Sequence, residues 1–357
     1  NELATEHLYE LSVGRADSGR FSGRIGQNFA TIESIDKAVS LLPHLGITEE
    51  KRRTEKLRLR NLAIAAMSLV DLRKEREHDI GRSPAITLDA EHRTLAQGDG
   101  KGNITIRPID SGQPNVILSG RGTPARWVQF SDDRAFLLAK YFFANPHDSR
   151  LALWDVKGGH LVFQVEDDLS RAVAALSPNC HQVAVGRKRG TIDILSLADG
   201  SLMESIPTGF DPTHIVFDST GTRLACATNR KIQVWSLGNT SPDAELTMQA
   251  TVSQLAWNSK HQILAAGSST GHLVVWHDNK FRLPAWELES HRGSAVVRLA
   301  IHPEGKLLVS GGWDDFVRVN DLTTQQQVLR IDSGELMHCG FSRDGRGIAY
   351  TNKQKVG

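Results

Sequence analysis

The sequence is short of several things at once. Of its 357 residues only three are cysteine and three tyrosine, and aromatic residues make up 6%. Cys180, Cys226 and Cys339 stand far apart, with no C-x-x-C spacing for zinc or redox work and an odd number for a disulfide framework. No charge sign dominates, since Lys+Arg 42 against Asp+Glu 41 leaves a formal net charge of +1. Nucleic acid is therefore not an expected partner, and no global field draws the chain to anionic lipid. The longest near-apolar stretch, Leu62 to Val70 with Ser68 inside it, falls far short of the roughly 20 residues that span a bilayer, so no direct membrane insertion is expected. The chain opens at Asn1 without a signal-peptide pattern and stops at Val356-Gly357 inside an apolar alternation, which reads as a piece of something longer.

What is present is a repeat. Small polar turns recur between apolar stretches, starting at Asp89, Ser131, Ser177, Asp218, Asn258, His302 and Ser342, about 40 to 46 residues apart, the period of four-stranded propeller blades. Apolar residues alternate with a step of two inside each period, as half-buried strands require. The sixth period is the clearest: Val297, Leu299 and Ile301 share a face, Lys306 to Ser310 follows, Gly311 to Asp315 turns, Phe316 to Val319 returns, and Gln327 to Ile331 makes a fourth strand.

From Pro84 to Gly357 these residues resemble the WD-repeat β-propellers. Ser290-His291 stands at that family's Gly-His, Ser310-Gly311-Gly312 at its Ser-Gly-Ser, Asp314 at its turn aspartate and Asn320-Asp321 at its Trp-Asp. Trp-Asp itself survives at Trp154-Asp155, and the tryptophan alone at Trp235 and Trp276. The resemblance implies a structural lock of Asp, His, Ser and Trp side chains, of which only the sixth blade, with His291, Ser310 and Asp314, keeps three. The expected fold is an all-β seven-bladed propeller over 81–357. Its last period is cut short, and Arg73 to Asp79 is the expected source of a strand to complete that blade.

Residues 1–80 change period to three and four. Leu3, His7, Leu8 and Leu11 share one helical face, Ile32, Ile35, Val39 and Leu42 a second, and Leu59, Leu62, Ala66 and Leu69 a third. About three helices are expected, with Thr31 and Thr48 as N-caps, a stop at Gly46 and a turn region from Gly14 to Gly26. The helices are expected to pack on the propeller, because about 80 residues of helix bury too little surface to be robust alone. The basic cluster Lys51, Arg52, Arg53, Lys56, Arg58 and Arg60 reads as a solvated face offset by Glu49, Glu50 and Glu55.

The stretches Arg20 to Phe29, Leu59 to Ala66 and Leu69 to Arg73 are similar to the helical segment that precedes WD repeats in bacterial eukaryotic-like serine/threonine kinases. That resemblance implies a regulatory or sensor region of such a kinase, extracytoplasmic if the parent is membrane-anchored and otherwise cytoplasmic. The chain itself shows no Gly-rich loop paired with a strand lysine, no His-Arg-Asp and no Asp-Phe-Gly, so this fragment is not expected to be a kinase.

Other chemistry lacks positive support. Gly98-Asp99-Gly100-Lys101-Gly102 joins two short strands without a following helix and reads as a tight turn, not a phosphate cradle. Fourteen histidines include no His-Glu-x-x-His, so neither metal nor cofactor is expected. No Gly-x-Ser-x-Gly elbow is present, and no catalytic residue is assigned. The function expected is a monomeric, non-catalytic protein- or peptide-binding scaffold. A small-molecule or enzymatic site in the central channel is the first alternative, though no convergent polar residues at equivalent blade positions stand out. A purely structural assembly surface is the second. Binding is expected on the loops between second and third strands and the inter-blade connections, through Tyr141, Phe142, Phe143, Arg187, Lys188, Arg189 and Trp313. Tyrosine, tryptophan and arginine most often carry binding energy.

Overall fold

The computed structural model describes residues 2–111, 114–120, 122–141, 150–166, 173–277, 281, 284–352 and 355–356. Packing divides the chain into two compact units, residues 1–76 with 318–331 and residues 77–317 with 332–357.

The period-two runs fold into seven four-stranded antiparallel sheets. Blade 1 comprises Ile86–Leu88, Thr94–Gly98, Ile104–Pro108 and Val116–Leu118, and blade 2 comprises Ala125–Phe130, Phe136–Tyr141, Arg150–Asp155 and His160–Glu166. Blades 3 to 6 repeat the pattern through Asp332. Blade 7 takes Leu336–Phe341, Ile348–Asn352 and Lys355–Val356, and its outermost strand is His78–Asp79, which pairs His78 with Val356 and Asp79 with Lys355. The first strand of blade 1 touches the first strands of both blade 2 and blade 7, closing the ring.

The recurrent polar turns join first to second strands, and each places one residue in the left-handed region. In blades 4, 6 and 7 this is Gly221, Gly305 and Gly345; elsewhere His92, Arg134, Cys180 and Gln262 accept it. Each turn also reaches the next around the ring. Arg134 Nη1 meets Asp89 Oδ2 at 3.2 Å, Cys180 lies against Asp133, and Gln182 Nε2 donates to Gly221 O at 2.6 Å. The Ser219 amide donates to Ser259 Oγ at 3.0 Å, and Asn258 Nδ2 donates to His302 O at 2.9 Å. His302 Nε2 lies 3.0 Å from Gly345 O, and the Arg343 amide closes the circle on Ala90 O at 2.8 Å.

The first unit holds helices α1 (Glu2–Gly19), α2 (Gln27–Leu41) and α3 (Glu49–Met67). Thr48 caps α3 by accepting the Lys51 amide at 3.3 Å. Three details of the sequence reading need correction. The buried stripe of α1 is Tyr9, Val13 and Ala16, spaced four and three, whereas Leu3, Leu8 and Leu11 are exposed. The helix runs on to Gly19 through the expected turn region. Thr31 is no cap: it lies buried inside α2, whose N-terminus is capped by the distant Asp71, accepting the amides of Gly26 at 2.8 Å and Asn28 at 2.7 Å. A carboxylate 43 residues downstream leaves no local signal. In the same unit the Arg330 amide donates to Gly23 O at 2.7 Å.

Candidate functional site

In a four-stranded meander the second-to-third turns and the connections to the next blade emerge at one end, opposite the polar turns. Blade 6 builds a densely hydrogen-bonded turn on this face. His291 arrives on the connection from blade 5 and is fully buried, its Nδ1 lying 2.8 Å from Asp314 Oδ1 and its Nε2 3.0 Å from Ser310 Oγ. Gly312 is required between them, because a β-carbon there would collide with both the His291 ring and the Asp314 carboxylate. Asp315 takes a left-handed φ of 63°, and its carbonyl accepts the Ser333 amide at 2.9 Å and Ser333 Oγ at 3.0 Å. The Trp313 amide donates to Ala295 O at 3.1 Å. The turn 313–315 is thus pinned at each of its three residues, and it holds the Trp313 side chain 75% exposed.

Residues 243–277 and 283–321 match the family model described as WD domain, G-beta repeat. The second stretch runs from the outer strand of blade 5 through the third strand of blade 6. This is a seven-bladed β-propeller with WD40 repeats. In fold the WD40 propeller is similar to a chain of the structure described as "Crystal Structure of Mitotic Checkpoint Complex", with a TM-score of 0.66 and 19% identity, covering 80% of this chain and 97% of that one. In sequence it is similar to the "66 kDa stress protein" of Physarum polycephalum, 31% identical over 149 residues, 40% of this chain and 24% of that protein. It is also similar to "WD and tetratricopeptide repeats protein 1" of Mus musculus, 32% identical over 84 residues, 22% of this chain and 12% of that protein. The matches thus span a quarter or less of these relatives' own length.

The four residues of the WD40 lock meet unequal fates. His291, Ser310 and Asp314 come together as described. Asn320, at the tryptophan position, is fully buried, and neither its amide nitrogen nor its oxygen finds a hydrogen-bond partner. The shorter side chain cannot bring an indole N–H to the serine. Trp235 and Trp276 are buried in blades 4 and 5, and Trp235 Nε1 donates to Gln233 Oε1 at 3.2 Å on its own strand. Trp154 is buried beside the Tyr141 hydroxyl, away from any blade lock, and Asp155 instead accepts the Gly158 amide in the following turn.

The expected binding residues also divide. Tyr141 is 6% exposed, so it does not present its ring to a partner. It packs inward beside Trp154 on a small cavity of about 20 Å³ also lined by Gly120 and Leu161, and desolvation pushes its hydroxyl up to about 12. Phe142 and Phe143 lie outside the described residues. Arg187 is half-buried and spends its Nε on Asp193 Oδ2 at 2.8 Å, so it braces its own hairpin. Lys188 and Arg189 are exposed, and the Arg189 and Gly190 amides donate to Asp211 Oδ1 at 2.9 and 3.1 Å. Among the described residues, Trp313, Lys188 and Arg189 are therefore the expected ones that reach solvent on this face.

Sequence reasoning missed a second feature. The first strands of blades 2, 5, 6 and 7 bulge at one equivalent place, leaving Arg126, Ser253, Val297 and Met337 out of register. The residues that follow, Trp127, Gln254, Arg298 and His338, are brought to equivalent positions, all partly exposed. His338 is held neutral, down to about 3, by desolvation first and then by the charges of Arg298 and His92. His214 on the first strand of blade 4 falls to about 4 by desolvation. Among the described residues no three His, Cys, Asp or Glu side chains group as a metal site, and no helix is long and apolar enough to cross a membrane.

Proposed function

We propose that the chain is a non-catalytic scaffold that binds a protein or peptide on the face carrying Trp313. The observation that carries this reading is the Trp313 turn: a large aromatic side chain, exposed, on backbone fixed by the buried His291–Asp314 contact and by Ser333 and Ala295. An anchor already held in place loses little entropy on binding, and tryptophan and arginine dominate interface energetics. Arg189 adds a basic group on a turn that Asp211 likewise holds. WD40 propellers are typically protein-interaction scaffolds, which agrees with this use of the fold.

The test is affinity measurement with a partner captured on the immobilised chain. Trp313→Ala is expected to weaken binding at least tenfold, about 1.4 kcal/mol, with the melting temperature unchanged within about 1 °C because the side chain buries little. Equal affinity in the variant rejects the site. The finer reading, a regulatory region of a bacterial serine/threonine kinase, rests on the resemblance of residues 20–29 and 59–73 to the segment that precedes WD repeats in such kinases. Its test is the full reading frame, in which a kinase domain upstream of Asn1 is expected and any other upstream domain rejects it.

A further inference from the structure

The charges of the whole chain balance, but those nearest the propeller axis do not. The seven innermost strands carry Arg126, His214, Arg298 and His338 and no aspartate or glutamate. The seven strands next outward carry none either, while adding Lys140, Arg187 and Arg223. Arg187 and Arg223 are paired outward, to Asp193 at 2.8 Å and Asp243 at 3.5 Å. Arg298 is not paired with any carboxylate among the described residues.

Its guanidinium is nevertheless held in place. The bulge in blade 6 leaves the Val297 carbonyl for Arg298 Nη1, and the equivalent bulge in blade 7 leaves the Met337 carbonyl for Nε, each at 2.7 Å. Two of its five N–H bonds are used in this way, so three remain, and the residue is partly exposed. Around it stand Cys339, whose thiol desolvation raises to about 12, and His338, both neutral near pH 7. A desolvated positive charge that is fixed in position, lacks a counter-charge and has an unused hydrogen-bonding edge matches a planar or tetrahedral oxoanion, which accepts two parallel N–H bonds from one guanidinium.

We propose that Arg298 is the anchor of an oxoanion site on the inner strands of blades 6 and 7, taking a carboxylate or phosphate group. Two sources share this chemistry, a free inorganic anion and the acidic side chain of a peptide inserted toward the axis. The proposal is independent of the Trp313 face, since the two sites share no residue.

The experiment titrates the whole chain with sodium phosphate at constant ionic strength, read by isothermal calorimetry, in wild type, Arg298→Gln and Arg298→Lys. Saturable one-to-one binding in wild type, weakened at least tenfold in Arg298→Gln, is expected. Should the glutamine variant fail to fold, Arg298→Lys decides, because it keeps the charge and loses the forked edge; a several-fold weakening is then expected. No saturable binding in wild type, or equal affinity in the folded variants, overturns the proposal. A capped peptide, acetyl-Gly-Glu-Gly-amide, is then competed against phosphate. Displacement assigns the site to a peptide carboxylate, and failure to displace assigns it to a free anion.

Discussion

At Gly312 the physical demand falls on one hydrogen atom. Any β-carbon would meet the His291 ring and the Asp314 carboxylate, so Gly312→Ala is expected to lose about 1–3 kcal/mol, as overpacking of a dense site does, checked by denaturant unfolding. His214 and His338 give the second expectation at this scale. Their folded values of about 4 and about 3 lie below the ordinary histidine value near 6.5, so below about pH 6.5 the unfolded chain takes up protons that the native chain refuses. Stability is therefore expected to fall as pH drops from about 6.5 toward 4, and His214→Gln to flatten that slope in unfolding midpoints measured between pH 7.5 and 4.5. Single residues were legible in the sequence where a pattern fixed their neighbours, as with His291, Ser310 and Asp314. Tyr141 was not, because the bulge between Ala125 and Trp127 that sets its pairing is invisible in a string of alternating residues.

Among elements, the turns between first and second strands were legible at every blade, since polar residues and left-handed positions recur with the repeat. Their linkage from blade to blade was not, because each contact joins residues about 40 apart through atoms that no local rule selects. The linkage also has unequal weight. Gln182 is buried and donates to Gly221 O at 2.6 Å, so Gln182→Ala leaves an unsatisfied carbonyl and is expected to cost about 1–3 kcal/mol. Lys260, paired with Glu304 at 3.1 Å in open solvent, belongs to the same circle, yet Lys260→Ala is expected to cost well under about 1 kcal/mol. Thermal melts of the two variants side by side check the contrast. The helices show the same division, with α3 foretold by Thr48 at its start and α2 dependent on Asp71, far along the chain.

For the molecule as a whole, the boundary between helical and β regions in the sequence does not coincide with the boundary of packing. Residues 318–331 pack with residues 1–76, and the Arg330 amide reaches Gly23 O. A fragment of residues 1–76 lacks that segment and is expected to melt without a cooperative transition, followed by circular dichroism; a sharp transition would show that the helices need no strand partner. The closing pairs of blade 7 carry a different consequence, one of timing. His78 and Asp79 meet Val356 and Lys355 only when about 280 further residues exist, and at about 5–20 residues per second that separation is a wait of about 15–55 s. For that interval a nascent chain has six or fewer complete blades, and the His78–Asp79 strand has no partner within its own chain. A strand from another nascent chain could pair there, and whether it does is decided by the race between translation and encounter.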